Sequence, residues 1–121
     1  MLKIALAGFS QGYYAVQYTR YLSRLKGIKV IGVCDLGMSA DYLRECAFMS
    51  AVEFAEELGC PLYHRYEEIL AEKPDALLIC SETWEHVKMA EKAMKLGIHT
   101  FVSKPLCFSF SQIAGLCELK Q

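Results

Sequence analysis

The sequence predicts an α/β fold with about five parallel strands and helices on both faces of the sheet. Short apolar runs rich in β-branched residues alternate along the chain with longer amphipathic segments, as expected for strands joined by crossover helices. The chain has 121 residues and is 54% hydrophobic, which is enough for one buried core. We therefore expect a single, doubly wound domain over residues 1–121.

The first fifteen residues predict a strand, a turn and the start of a helix. An apolar run, Leu2 to Ala7, ends at Gly8. In nucleotide-binding proteins, glycines in such a turn let a pyrophosphate approach the positive end of the helix. The full pattern is G-x-G-x-x-G or A, but its three positions here are Gly8, Ser10 and Tyr13. The candidate phosphate-binding residues are Gly8, Ser10, Gln11 and Gly12. A bend without a ligand explains the same turn.

The remaining elements follow from periodicity and from glycine or proline boundaries. Strands are predicted over 29–34, 61–63, 75–80 and 98–102, and helices over 51–58, 66–72, 84–96 and 109–119. The segment 38–49 reads as a further helix, separate from or continuous with 51–58. Thr83 is the expected cap of helix 84–96. In the first helix, the expected core-facing stripe is Tyr14, Tyr18, Tyr21, Leu22 and Leu25. In the last helix, the expected inward residues are Ile113, Leu116 and Cys117.

Asp35 is the candidate ribose-binding residue. It ends the second strand, 20-odd residues beyond the glycine turn, where an acidic side chain can accept hydrogen bonds from both ribose hydroxyls. A carboxylate there would repel a 2′-phosphate, so NAD is expected over NADP. A solvated turn residue is the alternative interpretation of Asp35.

Composition excludes several classes of function. The formal net charge of −1 argues against nucleic-acid binding, which usually needs a basic face. No apolar run is long enough to span a membrane, and the N-terminus lacks a signal-peptide layout, so we expect a cytoplasmic protein. The six cysteines include no C-x-x-C pair and no spacing typical of zinc ligands. We expect no metal site, and we expect Cys34 and Cys80 to be small buried residues.

Polar residues gather where the predicted strands end. Parallel strands bring their carboxyl ends to one edge of the sheet, where ligands bind. The residues expected at this edge, besides the glycine turn and Asp35, are Ser81, Glu82, Thr83, His86, Ser103, Lys104 and Pro105. Their convergence is better evidence for a site than any one motif.

The chain resembles the N-terminal dinucleotide-binding Rossmann domain of the Gfo/Idh/MocA oxidoreductases (glucose–fructose oxidoreductase, inositol dehydrogenase and MocA). The resemblance spans almost the whole chain and is most specific over 61–106. Family members carry a C-T-P-x-x-x-H-like loop, then A-x-x-A-L-x-x-G-x-H-V, then E-K-P. The matching segments here are CSETWEH at 80–86, AEKAMKLGIHT at 90–100 and SKP at 103–105.

The resemblance implies roles for three of these residues. Lys104 corresponds to the family lysine that lies near the nicotinamide and polarises a substrate hydroxyl, which makes it the candidate catalytic residue. Pro105 would hold the turn that follows. His86 would lie near the cofactor rim, although a half-buried structural histidine at the helix start is the expected description.

Four departures from the family pattern bear on cofactor binding. Ser103 replaces the usual glutamate, Glu82 replaces the usual proline, and Tyr13 stands where glycine or alanine is normal. The segment 36–50 is longer than the family norm by roughly ten residues. The family's second domain, which supplies the acid/base residue and most substrate contacts, is expected to be absent, so the chain would bind cofactor at most.

Three functional hypotheses remain open at this point. In the first, the chain is the NAD-binding part of an oxidoreductase that exchanges hydride with a sugar or polyol hydroxyl. In the second, it is a stand-alone, non-catalytic module that forms a homodimer through an unfinished sheet edge or the last helix. A methyltransferase of the same fold is a third hypothesis, but it leaves Lys104 and Pro105 unexplained.

Overall fold

The computed structural model describes residues 1–10, 12–37, 42, 44–45, 49–104, 106–107 and 109–120. Two candidate site residues, Gln11 and Pro105, lie outside the described residues. Most of the helix predicted over 38–49 does so too, although the backbone at positions 42, 44 and 45 is helical.

The protein is built on a parallel five-stranded sheet in the order β3-β2-β1-β4-β5. The strands are β1 (Leu2–Ala7), β2 (Ile28–Cys34), β3 (Leu62–Tyr63), β4 (Ala76–Ile79) and β5 (His99–Val102). The chain starts in the middle of the sheet, moves outward to β3, and crosses back to β4 and β5. This reversal confirms the predicted doubly wound Rossmann fold and creates a switch point between β1 and β4.

The register of the strands aligns their carboxyl ends. Ala7 pairs with Cys34 on one side and with Ile79 on the other, and Ile79 pairs with Val102. The residues that follow these four strands therefore emerge at one edge of the sheet, which we call the carboxyl edge.

Five helices are described in full: α1 (Gly12–Ser23), α2 (Ala51–Leu58), α3 (Tyr66–Ala71), α4 (Thr83–Lys95) and α5 (Phe110–Lys120). The ends of α2 are set by its sequence. Ser50 and Glu53 form a reciprocal capping box, and Gly59 closes the helix with a φ of 69°. The expectation that Thr83 caps α4 is wrong, because Thr83 is the first helical residue and Glu82 occupies the cap without a side-chain hydrogen bond.

Both faces of the sheet are buried, which explains the nearly continuous apolar strands. Ala5 and Ala7 face a core cluster that includes residues of α3, α4 and α5. Ile4 and Leu6 point to the opposite face and pack with residues of α1 and α2. Cys34 and Cys80 are fully buried, as predicted. Within the described residues, no helix combines the length and apolar character that crossing a membrane requires.

The prediction that the tyrosines of α1 face the core is wrong. Tyr14, Tyr18 and Tyr21 are 44%, 41% and 66% exposed, and Leu25 is also exposed. The buried face of α1 consists instead of Gly12, Ala15, Val16 and Thr19. Small residues let α1 pack closely against the sheet, so the bulky rings are left on the outer face. Cys117 of α5, also expected to point inward, is exposed.

Candidate functional site

Backbone hydrogen bonds tie the segments of the carboxyl edge to one another. Gly8 N donates to Cys34 O at 3.0 Å, and Ser10 N donates to Cys80 O at 2.9 Å. Ser103 N donates to Ile79 O at 3.0 Å. The structure thus brings together four of the predicted site segments: the glycine turn, the end of β2, the loop after β4 and the end of β5.

The backbone of Gly8 lies close to Ser81 at this edge. Gly8 has a φ of 92°, a conformation that side chains disfavour. A Cβ at this position would lie 2.7 Å from Ser81 N, 2.8 Å from its Cα and 2.9 Å from its Cβ. Glycine is therefore required both for the bend and for contact with the loop after β4.

His86 supports this loop from within the protein. Its side chain is 0% exposed, so the expected half-buried histidine is in fact completely buried. His86 Nε2 lies 2.8 Å from Ser81 O, and since a carbonyl can only accept, Nε2 donates. Through Ser81, His86 holds the surface against which Gly8 packs, which is a structural role next to the site.

Several hydroxyl groups at the carboxyl edge lack hydrogen-bond partners. The Oγ atoms of Ser10, Ser81 and Ser103 are buried, and none has a partner among the described residues. Burying a hydroxyl without a partner costs free energy, and such groups often mark a position that a ligand completes. These three serines follow β1, β4 and β5, the strands nearest the switch point.

Asp35 lies directly beyond β2 with a partly exposed side chain. Its Oδ1 accepts a hydrogen bond from Gly37 N at 3.1 Å, and its own N–H donates to Tyr63 O at 2.8 Å. These contacts fix the backbone of Asp35 and orient one carboxylate oxygen. The carboxylate is thus held at the carboxyl edge, directly after β2.

Tyr42 contacts the glycine turn, although the sequence gives no reason to expect it there. Its hydroxyl donates to Ser10 O at 2.9 Å, from 32 residues further along the chain. No motif marks this residue. The one available signal was its position in the segment 36–50, the segment that is longer than the family norm.

Glu82 and Thr83 lie at the start of α4, and both are partly exposed. A cavity of about 400 Å³ adjoins them, with Leu36, Glu82 and Trp84 among its lining residues. Lys104 follows the buried Ser103 and is exposed.

The two buried cysteines at this edge are not nucleophiles. Burial raises the pKa of the Cys80 thiol to about 12. Burial, reinforced by the nearby Asp35 carboxylate, raises the pKa of the Cys34 thiol to about 12. Both thiols are therefore protonated near neutral pH, which excludes thiolate chemistry at these two positions.

Three known proteins illustrate the similarity of this chain to others. Glycosyl hydrolase family 109 protein 1 of Akkermansia muciniphila is 26% identical over 125 residues, covering 98% of this chain and 25% of that protein. The structure of UDP-N-acetylglucosamine 3-dehydrogenase from Acidithiobacillus ferrooxidans matches this chain with a TM-score of 0.78 and 25% identity. The match covers 99% of this chain and 35% of the dehydrogenase chain. GenD2 from gentamicin A biosynthesis, solved in complex with NAD, shares the fold with a TM-score of 0.79 at 18% identity. That match covers 98% of this chain and 31% of the GenD2 chain.

This chain spans about a quarter to a third of the length of these proteins. The family model for the NAD-binding Rossmann fold of the oxidoreductase family matches residues 2–121. This match covers both the glycine turn and the segment that ends in Lys104. The chain therefore belongs to the Gfo/Idh/MocA oxidoreductase family and corresponds to its NAD-binding Rossmann domain.

Proposed function

We propose that this chain binds NAD(H) along the carboxyl edge of its sheet. Asp35 would accept hydrogen bonds from the adenosine ribose, and the turn from Gly8 to Gly12 would bind the pyrophosphate. Ser81 and Ser103 would face the nicotinamide half. The observation that carries this proposal is the convergence of the Gly8 turn, the end of β2 and the loop after β4, which backbone hydrogen bonds tie together at the carboxyl edge.

The start of α1 also suits a phosphate group. Helix N-termini attract anions, and acidic side chains in the first turn weaken that attraction. The first turn of α1 contains no acidic residue. By contrast, α2, α3 and α4 each carry glutamate in their first turn.

The carboxylate of Asp35 favours NAD over NADP. A 2′-phosphate on the adenosine ribose would add about two negative charges beside it, and like charges at short distance repel. The carboxylate of Glu82, also near this edge, would likewise repel a 2′-phosphate. NAD bound to GenD2, which has the same fold, is compatible with this preference.

The proposed reaction, in a protein that also carries a substrate-binding domain, is hydride exchange between the nicotinamide and a hydroxyl of a sugar or polyol. When bound, the nicotinamide ring supplies the carbon that accepts or donates the hydride. Lys104 is the candidate catalytic residue, because its ammonium group can donate a hydrogen bond to the reacting oxygen and stabilise developing negative charge. Glu82, Thr83 and His86 would line or support the cofactor rim.

Titration of the purified chain with NADH, followed by calorimetry and by NADH fluorescence, tests the proposal. We expect saturable one-to-one binding, tighter for NADH than for NADPH. Asp35→Ser should lose this preference because the repulsive carboxylate is removed, while Glu56→Gln, on the exposed face of α2, serves as the control. An absence of heat and fluorescence change at about millimolar NADH would overturn the proposal, since this lies near the weak limit of specific binding.

A second candidate function is a self-associating module without catalysis. The position of β5 favours this function. This strand lies at the edge of the sheet, and among the described residues it pairs with β4 on one side only. The exposed ring of Phe101 on β5 contacts Tyr18 of α1 at a centroid distance of 5.7 Å, giving an aromatic surface beside the strand edge. Pairing through this edge or through α5 would form a homodimer.

Sedimentation velocity of the wild type and of Phe101→Glu tests this second function. A concentration-dependent dimer that is lost in the variant supports self-association, and a monomer at all concentrations contradicts it.

A further inference from the structure

Ser10 occupies the second glycine position of the phosphate-binding pattern, and both of its backbone polar groups are engaged by distant residues. Its N–H donates to Cys80 O at 2.9 Å, and its carbonyl oxygen accepts from the Tyr42 hydroxyl at 2.9 Å. The first partner belongs to the loop after β4 and the second to the long segment after β2. Ser10 is therefore held between two parts of the chain that are not its sequence neighbours.

This arrangement matters because of where the chain goes next. Two residues after Ser10, α1 begins at the buried Gly12. Because α1 begins only two residues after Ser10, holding the Ser10 backbone in place restricts where the first helical N–H groups can lie. Because those N–H groups are the ones that a phosphate would contact, a small rotation at Ser10 would misdirect them.

We propose that Tyr42 is a positioning residue for the phosphate-binding turn, a role that rests on the proposed binding of NAD(H). By donating to Ser10 O, Tyr42 holds the turn in its binding conformation before any ligand arrives. The ring is 40% exposed, and the hydroxyl bond to Ser10 O ties this side chain to the turn. Such preorganisation lowers the entropy that binding would otherwise cost.

The variant Tyr42→Phe isolates this bond because it removes one oxygen atom and keeps the ring. Tyr21→Phe is the matched control, since Tyr21 is 66% exposed on α1 and its hydroxyl makes no hydrogen bond within the described residues. The first measurement is made without cofactor: the ¹³C carbonyl resonance of Ser10 and the amide resonance of Gly12. We expect both to shift in Tyr42→Phe and to stay unchanged in Tyr21→Phe, with thermal melting of both variants close to that of the wild type.

The second measurement is NADH affinity. We expect the dissociation constant to rise about three- to tenfold in Tyr42→Phe, as for the loss of one hydrogen bond, and to be unchanged in Tyr21→Phe. Unchanged Ser10 and Gly12 resonances in Tyr42→Phe would overturn the proposal, and so would equal or tighter NADH binding. If the wild type itself fails to bind NADH, the proposed function fails, whereas the resonances still decide whether Tyr42 positions the turn.

Discussion

Gly8 and Ser81 are in direct backbone contact across the switch point of the sheet: a Cβ on Gly8 would lie within 3 Å of three Ser81 atoms, the nearest being Ser81 N at 2.7 Å. This contact joins the turn after β1 to the loop after β4, and His86 holds that loop through its bond to Ser81 O. The geometry of the proposed phosphate site therefore depends on a residue more than seventy positions away in sequence.

Gly8→Ala should destabilise the protein and abolish NADH binding. A left-handed conformation costs a side chain about 1–2 kcal/mol, and the overlap with Ser81 adds about 1–3 kcal/mol. Gly27→Ala is the matched control, because Gly27 has a similar φ of 86° but has nothing within 4 Å of an added Cβ. Chemical denaturation should show a larger loss for Gly8→Ala than for Gly27→Ala. Equal losses would mean that the Ser81 contact contributes nothing.

His86→Leu should destabilise the fold and loosen the loop after β4. It leaves the buried Ser81 carbonyl without its donor, which costs about 1–3 kcal/mol. His86→Gln keeps a side-chain donor and should retain most of the stability. Amide hydrogen exchange at Ser81 and Gly8 measures the local effect, and we expect faster exchange in His86→Leu alone. Equal exchange in the two variants would contradict the supporting role.

Much of the fold could be predicted from the sequence, because strands buried on both faces and glycine-bounded helices leave strong local signals. The end of β2 at Cys34 and the helix over 51–58 are two such cases. The buried face of α1 could not be predicted as readily. Its tyrosine stripe and its Ala15–Val16–Thr19 stripe both fit helical periodicity, and the choice between them depends on how closely the helix approaches the sheet.

Some residues of the candidate site could also be predicted from the sequence, and others could not. Asp35 and Ser81 could be placed at the carboxyl edge from strand order alone, because every residue that follows a parallel strand reaches that edge. The contact between Tyr42 and Ser10 could not, since it joins a side chain to a backbone carbonyl 32 residues away in sequence. Complete burial of His86 likewise depends on tertiary packing that no local pattern encodes.

The ion pair between Arg20 and Glu57 should make a pH-dependent contribution to stability. Arg20 Nε and Nη2 lie 2.8 Å and 2.9 Å from the two Glu57 carboxylate oxygens. This hydrogen bonding holds the pKa of Glu57 below its usual value of 4.5. A carboxyl group with a lowered folded-state pKa stabilises the protein above its unfolded-state pKa, and the stabilisation disappears as the pH falls through the lower value.

Glu57→Gln should therefore lose stability at about pH 7, by roughly 0.5 kcal/mol given the partial solvent exposure of the pair. In acid strong enough to protonate Glu57, below its lowered pKa, the variant and the wild type should be equally stable, because both then lack the charge. Denaturation curves at the two pH values measure the difference. Glu56→Gln, whose side chain makes no ion pair within the described residues, should match the wild type at both. A stability difference that persists in acid would exclude the ion pair as its cause.

The cysteines should differ sharply in reactivity. Cys34 and Cys80 are 0% exposed with pKa values raised to about 12, whereas Cys117 lies on the exposed face of α5. Because the thiolate is the reactive form, iodoacetamide should label Cys117 in the native protein and should reach Cys34 and Cys80 after denaturation. Mass spectrometry of timed digests identifies the labelled sites. Labelling of Cys80 as fast as that of Cys117 in the native protein would contradict the burial of β4.

The single tryptophan of the chain gives the protein a built-in optical probe. Trp84 is 67% exposed in the first turn of α4 and lines the cavity of about 400 Å³ together with Leu36 and Glu82, which follow β2 and β4. Its emission originates at the carboxyl edge and carries no background from a second indole. Ligand binding there can be followed by quenching, or by energy transfer to a reduced nicotinamide, in unlabelled protein. Trp84 thus makes binding at this surface directly observable in solution.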